Sequence, residues 1–78
     1  MYEERWTERT PDGFEFDIYW YNNERYLLTD HPLVRDLVNQ LCPGTQMGIG
    51  YGMSFGFNLT NSQPDIEDVT NILTGQNL

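Results

Sequence analysis

Lysine is absent from this 78-residue chain, and its four basic residues, Arg5, Arg9, Arg25 and Arg35, stand against twelve acidic ones. The formal net charge is -8 at pH 7. Phosphate backbones are bound by concentrated cationic footprints, so this composition argues against nucleic acid as a direct ligand and for a basic protein surface as partner. An excess of acid without lysine also has a second reading, a high-salt habitat, in which the charge says nothing about a partner. A single cysteine, Cys42, excludes an internal disulfide and gives no sign of an oxidising compartment. No apolar run approaches the ~18 residues of a spanning helix, and Met1 to Thr10 is too charged for a signal peptide. The expectation is a cytoplasmic chain, of the host cell if virus-encoded, with no membrane partner.

What the chain does have is aromatic mass: four phenylalanines, two tryptophans and five tyrosines. A chain this short buries only about 60 to 65% of the surface it exposes when unfolded, but these side chains suffice for one core without metals or disulfides. The first half reads as three antiparallel strands, Tyr2 to Thr10, Phe14 to Tyr21 and Glu24 to Thr29. Pro11-Asp12-Gly13 suits a three-residue loop, and Asn22-Asn23 suits a type I′ turn because asparagine tolerates positive φ. These turns set Thr10 opposite Phe14 and Tyr21 opposite Glu24, hence Ile18 between Trp6 and Leu27. The core face then carries Phe14, Phe16, Ile18 and Trp20. The other face carries Glu3, Arg5, Arg9, Glu15, Asp17, Tyr19, Tyr21, Glu24, Tyr26 and Leu28.

Helical spacing of Leu33, Val34, Leu37, Val38 and Leu41 predicts a helix over Pro32 to Leu41, started by proline and ended by Pro43-Gly44. A second helix is expected over Pro64 to Leu73, with Ile66, Val69, Ile72 and Leu73 inward, acids in its first turn and Gly75 as its stop. Between them, Met47 to Leu59 alternates strictly. Its odd positions are apolar, while its even positions are Gly48, Gly50, Gly52, Ser54, Gly56 and Asn58. Thirteen extended residues would span roughly 43 Å, so a bend or hairpin is expected near Gly50 or Gly52. No charge falls between Asp36 and Asp65, which makes an exposed ribbon here an aggregation hazard that must be covered. The fold class is α+β: one small domain spanning residues 1–78, with elements in the order β-β-β-α-β(-β)-α and both helices packed on one face of an antiparallel sheet.

Several motifs yield to plainer explanations. Gly48-x-Gly50-x-Gly52 lacks the following helix that a phosphate loop needs, and its similarity to a potassium-channel filter lacks the spanning helices around it. His31 and Cys42 sit about 16 Å apart along one helix, too far for a nucleophile and base, so they read as a helix-start residue and a small buried apolar one. Asp65, Glu67 and Asp68 lack the spacing of a calcium loop and read as helix-start acids. Glu15 and Asp17, two apart on a strand, read as a wet face rather than an acid and base pair. Asn58-Leu59-Thr60 is a glycosylation sequon only in a secreted chain.

The feature left standing is the set Glu15, Asp17, Tyr19, Tyr21, Glu24 and Tyr26 on one sheet face. Tyrosine combines apolar area with a polar end and suits interface hot spots, and acids around it steer basic partners. The plainer reading is that another part of the chain covers these tyrosines. The leading expectation is a non-enzymatic protein, with no catalytic residues, cofactor or metal, that occludes the basic, nucleic-acid-binding surface of a larger protein. In general character it resembles the small acidic inhibitors and nucleic-acid mimics that phages deploy against host defence nucleases, and the immunity proteins of nuclease toxins, although no motif ties it to either. The alternative is a self-assembling structural or accessory subunit, a homo-oligomer built through the glycine-backed region 47–59, where bare glycine admits a second backbone.

Overall fold

In the computed structural model, which describes residues 2–48 and 54–76, two tight turns set the sheet. Asn22 and Asn23 take φ values of 54° and 69°, the consecutive left-handed pair that a type I′ hairpin requires. Gly13 takes φ 92°, and the Pro11-Asp12-Gly13 loop is closed by Thr10 N donating to Phe14 O at 3.0 Å and Gly13 N to Thr10 O at 2.9 Å. The strands so joined are β1 (Glu3–Arg9), β2 (Glu15–Tyr21) and β3 (Glu24–Thr29), slightly shorter than the expected runs because Tyr2, Thr10 and Phe14 fall outside the ladder. Helix α1 (Pro32–Leu41), strand β4 (Phe55–Asn58) and helix α2 (Ile66–Thr74) follow. The sheet is antiparallel in the order β1-β2-β3-β4. Trp6 pairs with Ile18 and Ile18 with Leu27, the register expected from the turns.

Phe16, Ile18, Leu27 and Phe57 project from one face of this sheet and are buried against Val34 and Val38 of α1 and Ile66, Val69 and Leu73 of α2. Cys42 and Leu59 complete the cluster. Phe14 and Trp20, expected in the core, are only partly buried because they stand at the two ends of the β2 row. Phe14 packs edge-on against His31 at 5.2 Å. Trp20 meets Trp6 edge-on at 5.5 Å, and the Arg25 guanidinium covers its ring at 4.3 Å. Leu33, Leu37 and Ile72 depart from expectation further: they are exposed. Each helix turns its narrow Val34–Val38 or Val69–Leu73 stripe to the sheet, and a helix resting on one flat layer leaves the flanks of a wider apolar stripe uncovered.

The second helix starts at Ile66 rather than Pro64, because the Asp65 carboxylate accepts the Asp68 backbone N–H at 2.9 Å and stands outside as the cap. Gly75 ends it at φ 79°, in the left-handed region. The alternating ribbon supplies the fourth strand, and the chain just before it returns alongside that strand. Phe55–Asn58 pairs with β3, while Gln46 bridges Phe57 in antiparallel sense, with Met47 N donating to Gly56 O at 2.8 Å and Asn58 N to Thr45 O at 3.0 Å. The bend expected near Gly50 or Gly52 lies outside the described residues. The bare face of Gly56 is met within the chain: a Cβ there would stand 2.7 Å from the Met47 Cε.

Candidate functional site

Strand alternation sends Tyr19, Tyr21 and Tyr26 to the sheet face opposite Ile18 and Leu27, and both helices pack on the Ile18 side. Tyr19 and Tyr26 are direct cross-strand partners, with ring centroids 5.9 Å apart. Tyr19 and Tyr21, two apart on β2, stack at 5.8 Å with planes 13° apart. The three rings form one contiguous, half-buried platform.

Among the described residues, two carboxylates flank the platform without a cation. Tyr19 Oη donates to Glu3 Oε2 at 2.7 Å, and this bond, helped by desolvation, holds the phenol pKa above its ordinary value. Glu24 Oε2 accepts from Thr60 Oγ1 at 2.9 Å and Asn58 Nδ2 at 3.2 Å, two neutral donors that fix the carboxylate and leave its charge in place. The other two expected acids are paired. Asp17 Oδ2 accepts from Arg5 Nε and Nη2 at 3.0 and 2.8 Å while its Oδ1 accepts from Thr7 Oγ1, and Glu15 bridges Arg9 at 2.6 Å. Arg5 stands opposite Tyr19 in the register, but its guanidinium reaches diagonally to Asp17.

All six residues singled out in the sequence, Glu15, Asp17, Tyr19, Tyr21, Glu24 and Tyr26, therefore share one face. They divide into an anionic tyrosine end and an arginine-paired end. The paired end opens on a cleft of about 270 Å³ lined in part by Asp17, Asp30, His31 and Ser54, where Asp30 accepts from Ser54 Oγ at 2.8 Å. Sequence reasoning missed Glu3 as a partner of Tyr19, although the register places it diagonally adjacent. Asn58 and Thr60 were missed for a different reason: the β3–β4 pairing brings them from 34 and 36 residues away.

The remaining chemistry-bearing groups lie apart. His31 starts α1 and packs on Phe14, with no side-chain capping bond. Cys42 is buried just past the other end of α1, its thiol 3.5 Å from Pro64 O, and burial pushes its pKa up against a smaller opposing effect of Ser62. Among the described residues, no group of three or more His, Cys, Asp or Glu side chains is arranged to hold a metal ion, and no helix is long and apolar enough to cross a membrane. Comparison with protein-family models, with curated proteins and with solved structures found no match.

Proposed function

We propose that this chain is a binding protein, without catalysis of its own, whose tyrosine-bearing sheet face docks on a basic surface of a larger protein that holds nucleic acid, and occludes it. The observation that carries this reading is the contiguous platform of Tyr19, Tyr21 and Tyr26 between Glu3 and Glu24, on the face turned away from both helices. Packed tyrosines offer large contact area at little cost in ordering, since their rings are already held against one another. Unneutralised carboxylates beside them complement cations, and the net charge of -8 steers basic partners from a distance.

Charge and contact act on different rate constants, which gives the test. A partner is recovered by affinity capture, and its association and dissociation are followed over a range of salt. Glu3→Gln and Glu24→Gln slow association and flatten its salt dependence. Glu15→Gln and Asp17→Asn act in the same direction, but each also frees an arginine. Tyr19→Ala or Tyr26→Ala speeds dissociation, at a cost of about 1 to 3 kcal/mol for a central anchor. The partner releases bound nucleic acid when the chain is added. A partner whose contact surface is acidic, or whose association is as fast near 1 M salt as at low salt, where screening differs several-fold, overturns the proposal.

A further inference from the structure

Three of the five large apolar side chains most open to solvent among the described residues converge on one place. Leu33 (48% exposed), Leu37 (37%) and Ile72 (39%) line a single cleft of about 200 Å³ between α1 and α2. Buried Val34 and Leu73 also line it. Singly exposed apolar residues are ordinary, but a concentrated patch marks a contact surface. Beside neutral Thr10 and Gln40, the one charged residue lining the cleft is acidic. Asp12 lines one end, and Asp68 lies one turn before Ile72 on α2. Asp36 lies three residues after Leu33 but already holds Arg35 at 2.9 Å, so Asp12 and Asp68 carry the net charge. No arginine lines the cleft.

We infer that this cleft is a second docking site, separate from the tyrosine face, and that it takes a cationic amphipathic helix of a partner protein. An apolar stripe spaced i, i+3, i+4 and i+7 packs between two helices as ridges into a groove, while lysines or arginines beside the stripe meet Asp12 and Asp68. A second copy of the chain is disfavoured, because it would bring its own net charge of -8 and its own acidic rim.

The probe is a synthetic leucine–lysine peptide of helical spacing, compared with a scrambled peptide of the same composition and with one carrying glutamate in place of lysine. Binding to the full chain is followed by fluorescence anisotropy and by methyl NMR. The expected result is shifts centred on Leu33, Leu37 and Ile72 and preference for the helical cationic peptide. Leu37→Ser with Ile72→Ser weakens binding by about tenfold or more, as does Asp12→Asn with Asp68→Asn. Both positions of the apolar pair are exposed, and circular dichroism checks that each variant stays folded. Tyr19→Ala leaves this binding unchanged. Equal binding of the scrambled peptide, or shifts centred on the tyrosine face, overturns the inference. So does a dimer in sedimentation velocity that Leu37→Ser abolishes, which would make the occupant a second copy.

Discussion

Ile18 and Tyr19 are neighbours in β2 that face opposite ways, and truncating each to alanine tests the face assignment on which the proposed function depends. Ile18 is 1% exposed and lies between Trp6 and Leu27, so Ile18→Ala loses transfer energy and leaves a cavity, together about 2 to 5 kcal/mol. At roughly 0.05 to 0.15 kcal/mol per residue, a chain of this length is stable by about 4 to 12 kcal/mol, and the loss is a large share of that. Tyr19→Ala gives up ring contacts with Tyr21 and Tyr26 and one surface bond to Glu3, all on the solvent-facing side of the sheet, and leaves no cavity in the core, so it costs less than Ile18→Ala. Urea unfolding followed by tryptophan fluorescence measures both. With a slope of about 1 kcal/mol per molar, Ile18→Ala lowers the midpoint by at least about 2 M, and Tyr19→Ala lowers it by less. Should Ile18→Ala fail to fold, Ile18→Val supplies the scale at about 0.5 to 1.5 kcal/mol. A lower midpoint for Tyr19→Ala than for Ile18→Ala would refute the register and the binding face together.

Gly75→Ala places a side chain at φ 79° with its Cβ 3.1 Å from Pro11 Cγ, and thermal melts are expected to show a loss of about 1 to 2 kcal/mol; an unchanged melting temperature would contradict the cap. The hydrogen bond to Glu3 raises the folded pKa of Tyr19, so its contribution is full below the ordinary tyrosine range and is lost as pH rises through the raised value. Tyr19→Phe therefore flattens the alkaline fall in melting temperature, and Glu3→Gln moves the phenolate absorbance to lower pH; the absence of both effects would break the assignment. Cys42 is buried with a raised pKa, so alkylation waits on opening of the fold and speeds up in denaturant, whereas rapid labelling of the native chain would show an accessible thiol.

The sheet was legible because its turns are chemically specific. Two asparagines in succession and a Pro-Asp-Gly loop leave few backbone solutions, and once the register is set, parity alone decides that Ile18 faces in and Tyr19 out. The helices were legible as elements but not in what they bury. Spacing shows that Leu33 and Leu37 share a stripe with Val34, yet the width of stripe that a sheet covers depends on how the helix rests on it. Local pairings hid for a similar reason. Register places Arg5 opposite Tyr19, but a long guanidinium chooses its carboxylate diagonally, at Asp17. Glu24 is held by Thr60 and Asn58 only because β4 docks on β3, and no short-range signal specifies that contact.

Each of the four arginines is engaged within the molecule: Arg5 on Asp17, Arg9 on Glu15, Arg25 over Trp20, and Arg35 on Asp36 and over Phe55. From outside, the molecule resembles an acidic colloidal particle in which every arginine is already held by a carboxylate or an aromatic ring. The screening length is about 10 Å at 0.1 M salt, close to the 11.6 Å radius of gyration, so two copies feel each other's charge before their apolar surfaces can touch. At about 1 M salt the length contracts to ~3 Å and that barrier collapses. Salt therefore acts in opposite directions on two kinds of encounter: it weakens the attraction of so acidic a surface for a basic one, and it removes the repulsion that holds like copies apart.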